Sequence, residues 1–199
     1  MIHRYKTIAN SCEELYKENA SKFFALLFPV SNEEEVKSII TKVKKEYYDS
    51  RHVCYAYVLG YKKEIWRLND AGEPSNTAGK PILGQLTSFD VTNVLLIVVR
   101  YFGGTKLGVG GLIQAYKTSA QMVLEKAVII EKNILTKYEI ITTYENFSSI
   151  LKYIKQVDGE IMLNEQNELC RIICEIPLMN NDKFNDLIKL KYNSITKNE

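Results

Sequence analysis

Two spacings of hydrophobic residues alternate along the chain. Apolar and β-branched residues around Tyr5 and Thr7, and the run Lys22-Phe23-Phe24-Ala25-Leu26-Leu27-Phe28 that Pro29 ends, predict strands over the first thirty residues. Ser31 then opens a helix. Ser31 and Glu34 have capping-box spacing, and Val36, Ile39, Ile40, Val43 and Tyr47 recur every three or four residues. Lys37, Lys42, Lys44 and Lys45 fall on the opposite, solvated side. His52 to Leu59 predicts a strand broken by Gly60, with Glu64 to Leu68 as its hairpin partner. After the turn-rich stretch from Asn69 to Asn76, Thr77 is placed to cap a short helix through Ile82, Leu83 and Leu86. Val91 to Val99 is nearly all apolar, the mark of a strand covered on both faces. A helix with Leu112, Ile113, Tyr116, Val123, Leu124 and Ala127 on one side follows from about Gly110.

Beyond Glu131 the order becomes strand (Leu135–Thr143), helix (Tyr144–Val157), strand (Glu160–Asn164), strand (Leu169–Ile176), helix (Asn180–Leu190) and strand (Tyr192–Thr196). This β-α-β-β-α-β order is that of a ferredoxin-like domain. The expectation is therefore an α+β protein of two domains, 1–130 and 131–199, with the boundary set by the completed supersecondary unit.

Charge and cysteine content exclude several classes. Net charge is +2, too small for a chain that coats nucleic acid by charge alone. Residues 1–130 hold 17 Lys and Arg against 13 Asp and Glu, so this half is the better candidate for an anionic partner. Cys12, Cys54, Cys170 and Cys174 form no Cys-x-x-Cys pair, which removes zinc-ribbon and thioredoxin readings. Cys170 and Cys174 would share one face of a strand as buried thiols. With no signal-peptide run and no apolar stretch near the roughly 20 residues of a membrane span, the expectation is a soluble, reduced, cytoplasmic protein with no membrane or DNA partner and no metal or other cofactor.

Five of the ten glycines (Gly103, Gly104, Gly108, Gly110 and Gly111) fall within nine residues, between the apolar strand and the following helix. Such a junction exposes N–H groups that no helical bond uses, next to the positive helix end. With Arg100, Tyr101 and Lys106 it makes a candidate anion or partner site. It is neither a P-loop, because Lys106 precedes Gly108, nor a dinucleotide fingerprint, because Ile113 stands where the third glycine belongs. The alternative is a tight turn with close helix–strand packing. The second constellation lies within residues 70–81. Asp70 and Glu73 make a carboxylate pair suited to acid–base work or to a hard cation, with Ser75, Thr77 and Lys80 nearby; the competing reading is a turn whose acids accept local N–H bonds. His52 and Cys54 share a strand face, but side-by-side residues rarely reach attack geometry, so they read better as packed or hydrogen-bonded residues. Trp66, Tyr55, Tyr57 and Tyr101 have the ring chemistry to stack on bases, although aromatics alternating on strands usually form core.

The block Arg100-Tyr101-Phe102-Gly103-Gly104-x-x-Leu107-Gly108-x-Gly110-Gly111-Leu112 resembles the signature of the YigZ/IMPACT family. So do Gly79-x-x-Ile82-Leu83 and Gly72-Glu73-Pro74-Ser75-x-Thr77-Ala78-Gly79-x-Pro81, with His52-x-Cys54-x-Ala56-Tyr57 and Ser21-Lys22-Phe23 fitting its N-terminal part. The resemblance implies an N-terminal domain similar to elongation-factor domain IV and a small-subunit ribosomal protein, and a ferredoxin-like C-terminal domain similar to elongation-factor domain V. It also implies a translational regulator. Eukaryotic relatives bind the activator of the amino-acid-starvation kinase, so the expected partner is RNA, the ribosome or a translation-regulatory protein. It implies no catalytic residues. Many relatives carry an acid where Ala71 stands and glycine where Asn76 stands; the first departure weakens a two-carboxylate mechanism. The rival expectation is a hydrolase of phosphorylated or carboxylated small molecules, with Arg100 and Lys106 holding the anion and Glu73 or Asp70 as base.

Overall fold

The computed structural model describes residues 2–189 and 195–198. It divides into two compact units, Tyr5–Lys132, and Asn133 onward together with the residues up to Arg4. The division falls inside β1 (Arg4–Ile8) and β7 (Ile129–Asn133), which pair as a two-stranded sheet. The sequence boundary at 130/131 therefore lies within a strand that the hydrophobic pattern does not announce. β7 is short, polar and mostly exposed, so it carries no alternation to read.

The first unit contains β2 (Cys12–Glu18), β3 (Ser21–Pro29), α1 (Glu33–Glu46), β4 (His52–Leu59), β5 (Ile65–Asn69), α2 (Gly79–Ser88), β6 (Val94–Tyr101) and α3 (Gly108–Lys126). Its sheet runs β2-β3-β6-β4-β5, antiparallel throughout. β6 is central, and its alternate residues feed two cores. Val94, Leu96 and Val98 pack with α2 and α3 (Ile82, Leu86, Leu112, Tyr116). Leu95, Ile97 and Val99 pack with α1 (Val36 and Val43). This double cover explains the near-continuous apolar run, in an antiparallel setting.

Two caps differ from the sequence expectation. The N-cap of α1 is Asn32, whose side chain accepts from Glu35 N at 2.9 Å, while Glu35 accepts from Ser31 N at 2.7 Å. The cap thus sits one residue later than the Ser31–Glu34 spacing predicts, because Asn caps as well as Ser, and Glu35 reaches back to the residue before the cap. Nor does Thr77 cap α2; its hydroxyl donates to Pro74 O at 2.6 Å. Asp70 does that work from eight residues away, accepting from Ala78 N (3.0 Å) and Gly79 N (2.8 Å).

In the second unit β8 (Leu135–Thr142), α4 (Tyr144–Gln156), β9 (Glu160–Gln166), β10 (Cys170–Pro177), α5 (Asn181–Lys189) and β11 (Ile195–Asn198) follow in the predicted β-α-β-β-α-β order, with one 3-10 turn at Leu178–Asn180. The sheet order is β11-β8-β10-β9. Cys170, Ile172, Cys174 and Ile176 are buried at alternate positions of β10, so the two thiols are on one face. Leu190 and 192–194 of the predicted last helix and strand lie outside the described residues.

Candidate functional site

Arg100, Glu73 and His52 come together at the C-terminal end of β6, from which the glycine loop departs. Arg100 is the last fully buried residue of that strand, 6% exposed, and its Nη1 donates to Glu73 Oε1 at 2.7 Å. Glu73, 9% exposed, reaches it from the turn between β5 and α2. Tyr116, in the apolar stripe of α3, donates its hydroxyl to the same carboxylate oxygen at 2.8 Å. One bond network therefore ties turn, strand and helix together. The Cys54 thiol extends it, 3.3 Å from Tyr116 OH and 3.0 Å from Asp70 O. Burial raises the Cys54 pKa to about 12 and, with the neighbouring Cys54 and Glu73, raises that of Tyr116 as well, so both keep their protons at neutral pH.

Arg100 is also held by rings. Its guanidinium carbon lies 5.6 Å from the Phe23 ring centre and 5.7 Å from that of Phe102. Its Nε is buried without a hydrogen-bond partner. The sequence singles out Arg100 and Glu73 but treats Tyr116 as core. A buried phenol on an apolar stripe usually has a polar partner, and that is the signal by which it was findable.

The acids of the turn are engaged. Besides capping α2, Asp70 accepts from Asn76 N at 2.9 Å, so three backbone N–H groups converge on its carboxylate. Asn76 takes the left-handed conformation (φ +63°), which Asn tolerates better than other non-glycine residues. His52 Nδ1 lies 3.0 Å from Ala71 O; a carbonyl only accepts, so Nδ1 carries the proton. Ser75 and Lys80 are exposed, Thr77 is buried, and the Ser75 hydroxyl accepts from Asn76 Nδ2 at 3.2 Å. The partner of the Ser75 hydroxyl is thus an amide and not a His or Cys base, and no metal-holding cluster of His, Cys, Asp or Glu occurs among the described residues.

The glycine loop leaves from Tyr101. Gly103 is clamped against the β2–β3 turn: its N–H donates to Ser21 Oγ at 3.1 Å, and a Cβ there would lie 2.1 Å from the Ala20 carbonyl carbon. Beyond it the loop opens. Gly104, Lys106, Gly108 and Gly110 are exposed, and a Cβ at Gly104, Gly108 or Gly110 would meet nothing within 4 Å. Gly111, half-buried, closes on Leu107. Helix α3 starts here with no side-chain cap and no acid in its first turn. Its 19 residues thus present unused N–H groups and a positive dipole end beside Lys106. No helix among the described residues is long and apolar enough to cross a membrane.

The sequence blocks singled out above thus lie in a mixed α/β protein built on antiparallel sheets, which is the class its fold and this site define. The chain belongs to the IMPACT family: the model of the Impact N-terminal domain matches residues 19–124. The IMPACT family member YigZ of Escherichia coli is 33% identical over 167 residues, covering 83% of this chain and 80% of that protein. The IMPACT family member YvyE of Bacillus subtilis is 43% identical over 119 residues, 60% of this chain, and the match spans little more than half (55%) of YvyE's own length. A crystal structure of a hypothetical protein superposes with a TM-score of 0.77 at 28% identity, over 99% of this chain and 97% of that one.

Proposed function

We propose that this chain is a non-enzymatic, translation-linked binding protein that recognises RNA, on or off the ribosome, through the glycine loop. The carrying observation is the uncapped, acid-free, glycine-built start of α3 beside exposed Lys106. Backbone N–H groups, a helix dipole and a lysine suit phosphate oxygens, and missing Cβ atoms let a sugar–phosphate backbone come close. In this reading residues 1–130 act as the elongation-factor domain IV-like, ribosomal-protein-like part and residues 131–199 as the ferredoxin-like, domain V-like part of a cytoplasmic translation regulator.

The hydrolase reading lacks a free base. Glu73 is shared by Arg100 and Tyr116, and Asp70 is occupied by three N–H donors. Arg100, sealed in its ion pair, acts in the binding reading by fixing the end of β6 from which the loop departs. The test is co-sedimentation with ribosomes and titration of single-stranded RNA across a salt series. Binding that is steep in salt is expected. Salt-independent binding, or none at low salt, overturns the proposal.

A further inference from the structure

Beside the glycine loop lies a hollow of about 320 Å³ that phosphate recognition leaves unused. It is lined by Ala20, Lys22, Phe24, Tyr47, Tyr101 and Phe102, four of them aromatic. Its size falls at the lower end of ligand pockets, about 300–1,000 Å³. The rings brace one another: Phe24 lies 5.8 Å from Tyr47 and 5.9 Å from Tyr101 between ring centres, the latter nearly edge-on at 80°. The Tyr101 hydroxyl donates to Asp49 at 2.6 Å, which fixes that ring at its far end. Phe102 remains 52% exposed although it also covers the Arg100 guanidinium. A large ring left half in water at the rim of an aromatic hollow is a stacking platform in waiting.

Charge indicates what it would stack with. Lys22 is paired across β6 with Tyr101 and across β2 with Lys17, so Lys17, Lys22 and Tyr101 form one row on one sheet face. Two lysines directly opposite each other repel, and neither forms an ion pair among the described residues. An anion bound between them would relieve that repulsion. At the other end of the Tyr101 ring the Asp49 carboxylate disfavours an anion, so the hollow is polarised, with its anion-accepting end at the lysines. A neutral proline-rich segment would use the rings but not this polarity.

We propose that the hollow takes one unstacked nucleobase of single-stranded RNA, stacked on the exposed ring of Phe102 with Tyr101 walling the hollow beside it, and with the adjoining phosphate at Lys22 and Lys17. The inference rests on the RNA reading above and adds to it a base pocket beside the phosphate site. Selectivity among bases is not required, since every base offers a π-face.

The experiment compares a single-stranded oligoribonucleotide with an abasic ribose-phosphate oligomer of equal length, by fluorescence anisotropy on the full chain. The wild type is expected to prefer the base-bearing strand by about 5- to 150-fold, the worth of one base–aromatic stack. Phe102→Leu, which keeps an apolar cover over Arg100 but loses the π-face, should abolish the preference; Phe102→Trp should keep it. Lys106→Ala should weaken both oligomers and leave the preference intact. Salt-dependent binding without a base preference, or a preference that survives in Phe102→Leu, overturns this inference alone. Failure of the wild type to bind either oligomer overturns it together with the RNA reading.

Discussion

At the scale of residues, the Glu73–Arg100 pair is architecture, and its energetics are testable. Both side chains are buried, so removing one partner leaves a charge or a donor stranded. Arg100→Met and Glu73→Leu should each cost about 3–5 kcal/mol in urea unfolding. The double variant should cost well below the sum, because two uncharged side chains need no pairing; additive losses would refute the coupling. The loop glycines separate in the same way. Gly103→Ala drives a Cβ into backbone at 2.1 Å and should destabilise the fold by about 1–3 kcal/mol. Gly110→Ala points into open space within a helix and should stabilise by about 0.5–1 kcal/mol while weakening RNA binding. Equal thermal stability of the two variants would contradict this division of roles.

At the scale of elements, burial sets the chemistry of the thiols. Cys54 and Cys174 lie on internal strands, and burial raises each pKa from an ordinary 9.0 to about 12. The folded state thus holds these protons more tightly than the unfolded chain does. Their contribution to stability is complete below about pH 9 and is lost as pH rises towards 12. Urea unfolding below and above pH 9 should show falling stability, and Cys54→Ala should lessen the fall. Thiol labelling below pH 9 should reach Cys54 and Cys174 only after unfolding; rapid native labelling of either would contradict their burial. Elements with a complete periodic signature were legible in the sequence. β4 is predicted to the residue, because its apolar run ends on Gly60, whose φ is +79°. What was not legible depends on contacts distant in sequence. The capping of α2 by Asp70 spans eight residues and exists only once the β5–α2 turn has folded. Glu73, Arg100 and Tyr116 stand out or fail to do so singly, but their convergence is a property of three elements meeting. Phe102 carries no periodic signal, lying just past the end of β6.

At the scale of the whole molecule, the Impact N-terminal match, the glycine loop and the aromatic hollow all fall in the unit Tyr5–Lys132, which also carries the excess of basic residues. The second unit has a core of its own, built from Tyr138, Ile140, Ile150, Ile154, Ile172 and Phe184. Its β8, α4, β10 and α5 were legible because their buried positions recur at strand or helix spacing. In the proposed function the unit Tyr5–Lys132 does the recognising, with the uncapped start of α3 and Lys106 binding phosphate. The most direct test is the salt dependence of single-stranded RNA binding by wild type and Lys106→Ala, plotted as log affinity against log salt. A steep wild-type slope is expected, falling in magnitude by about one contact in the variant. An unchanged slope in Lys106→Ala, or wild-type binding indifferent to salt, would contradict the proposed function.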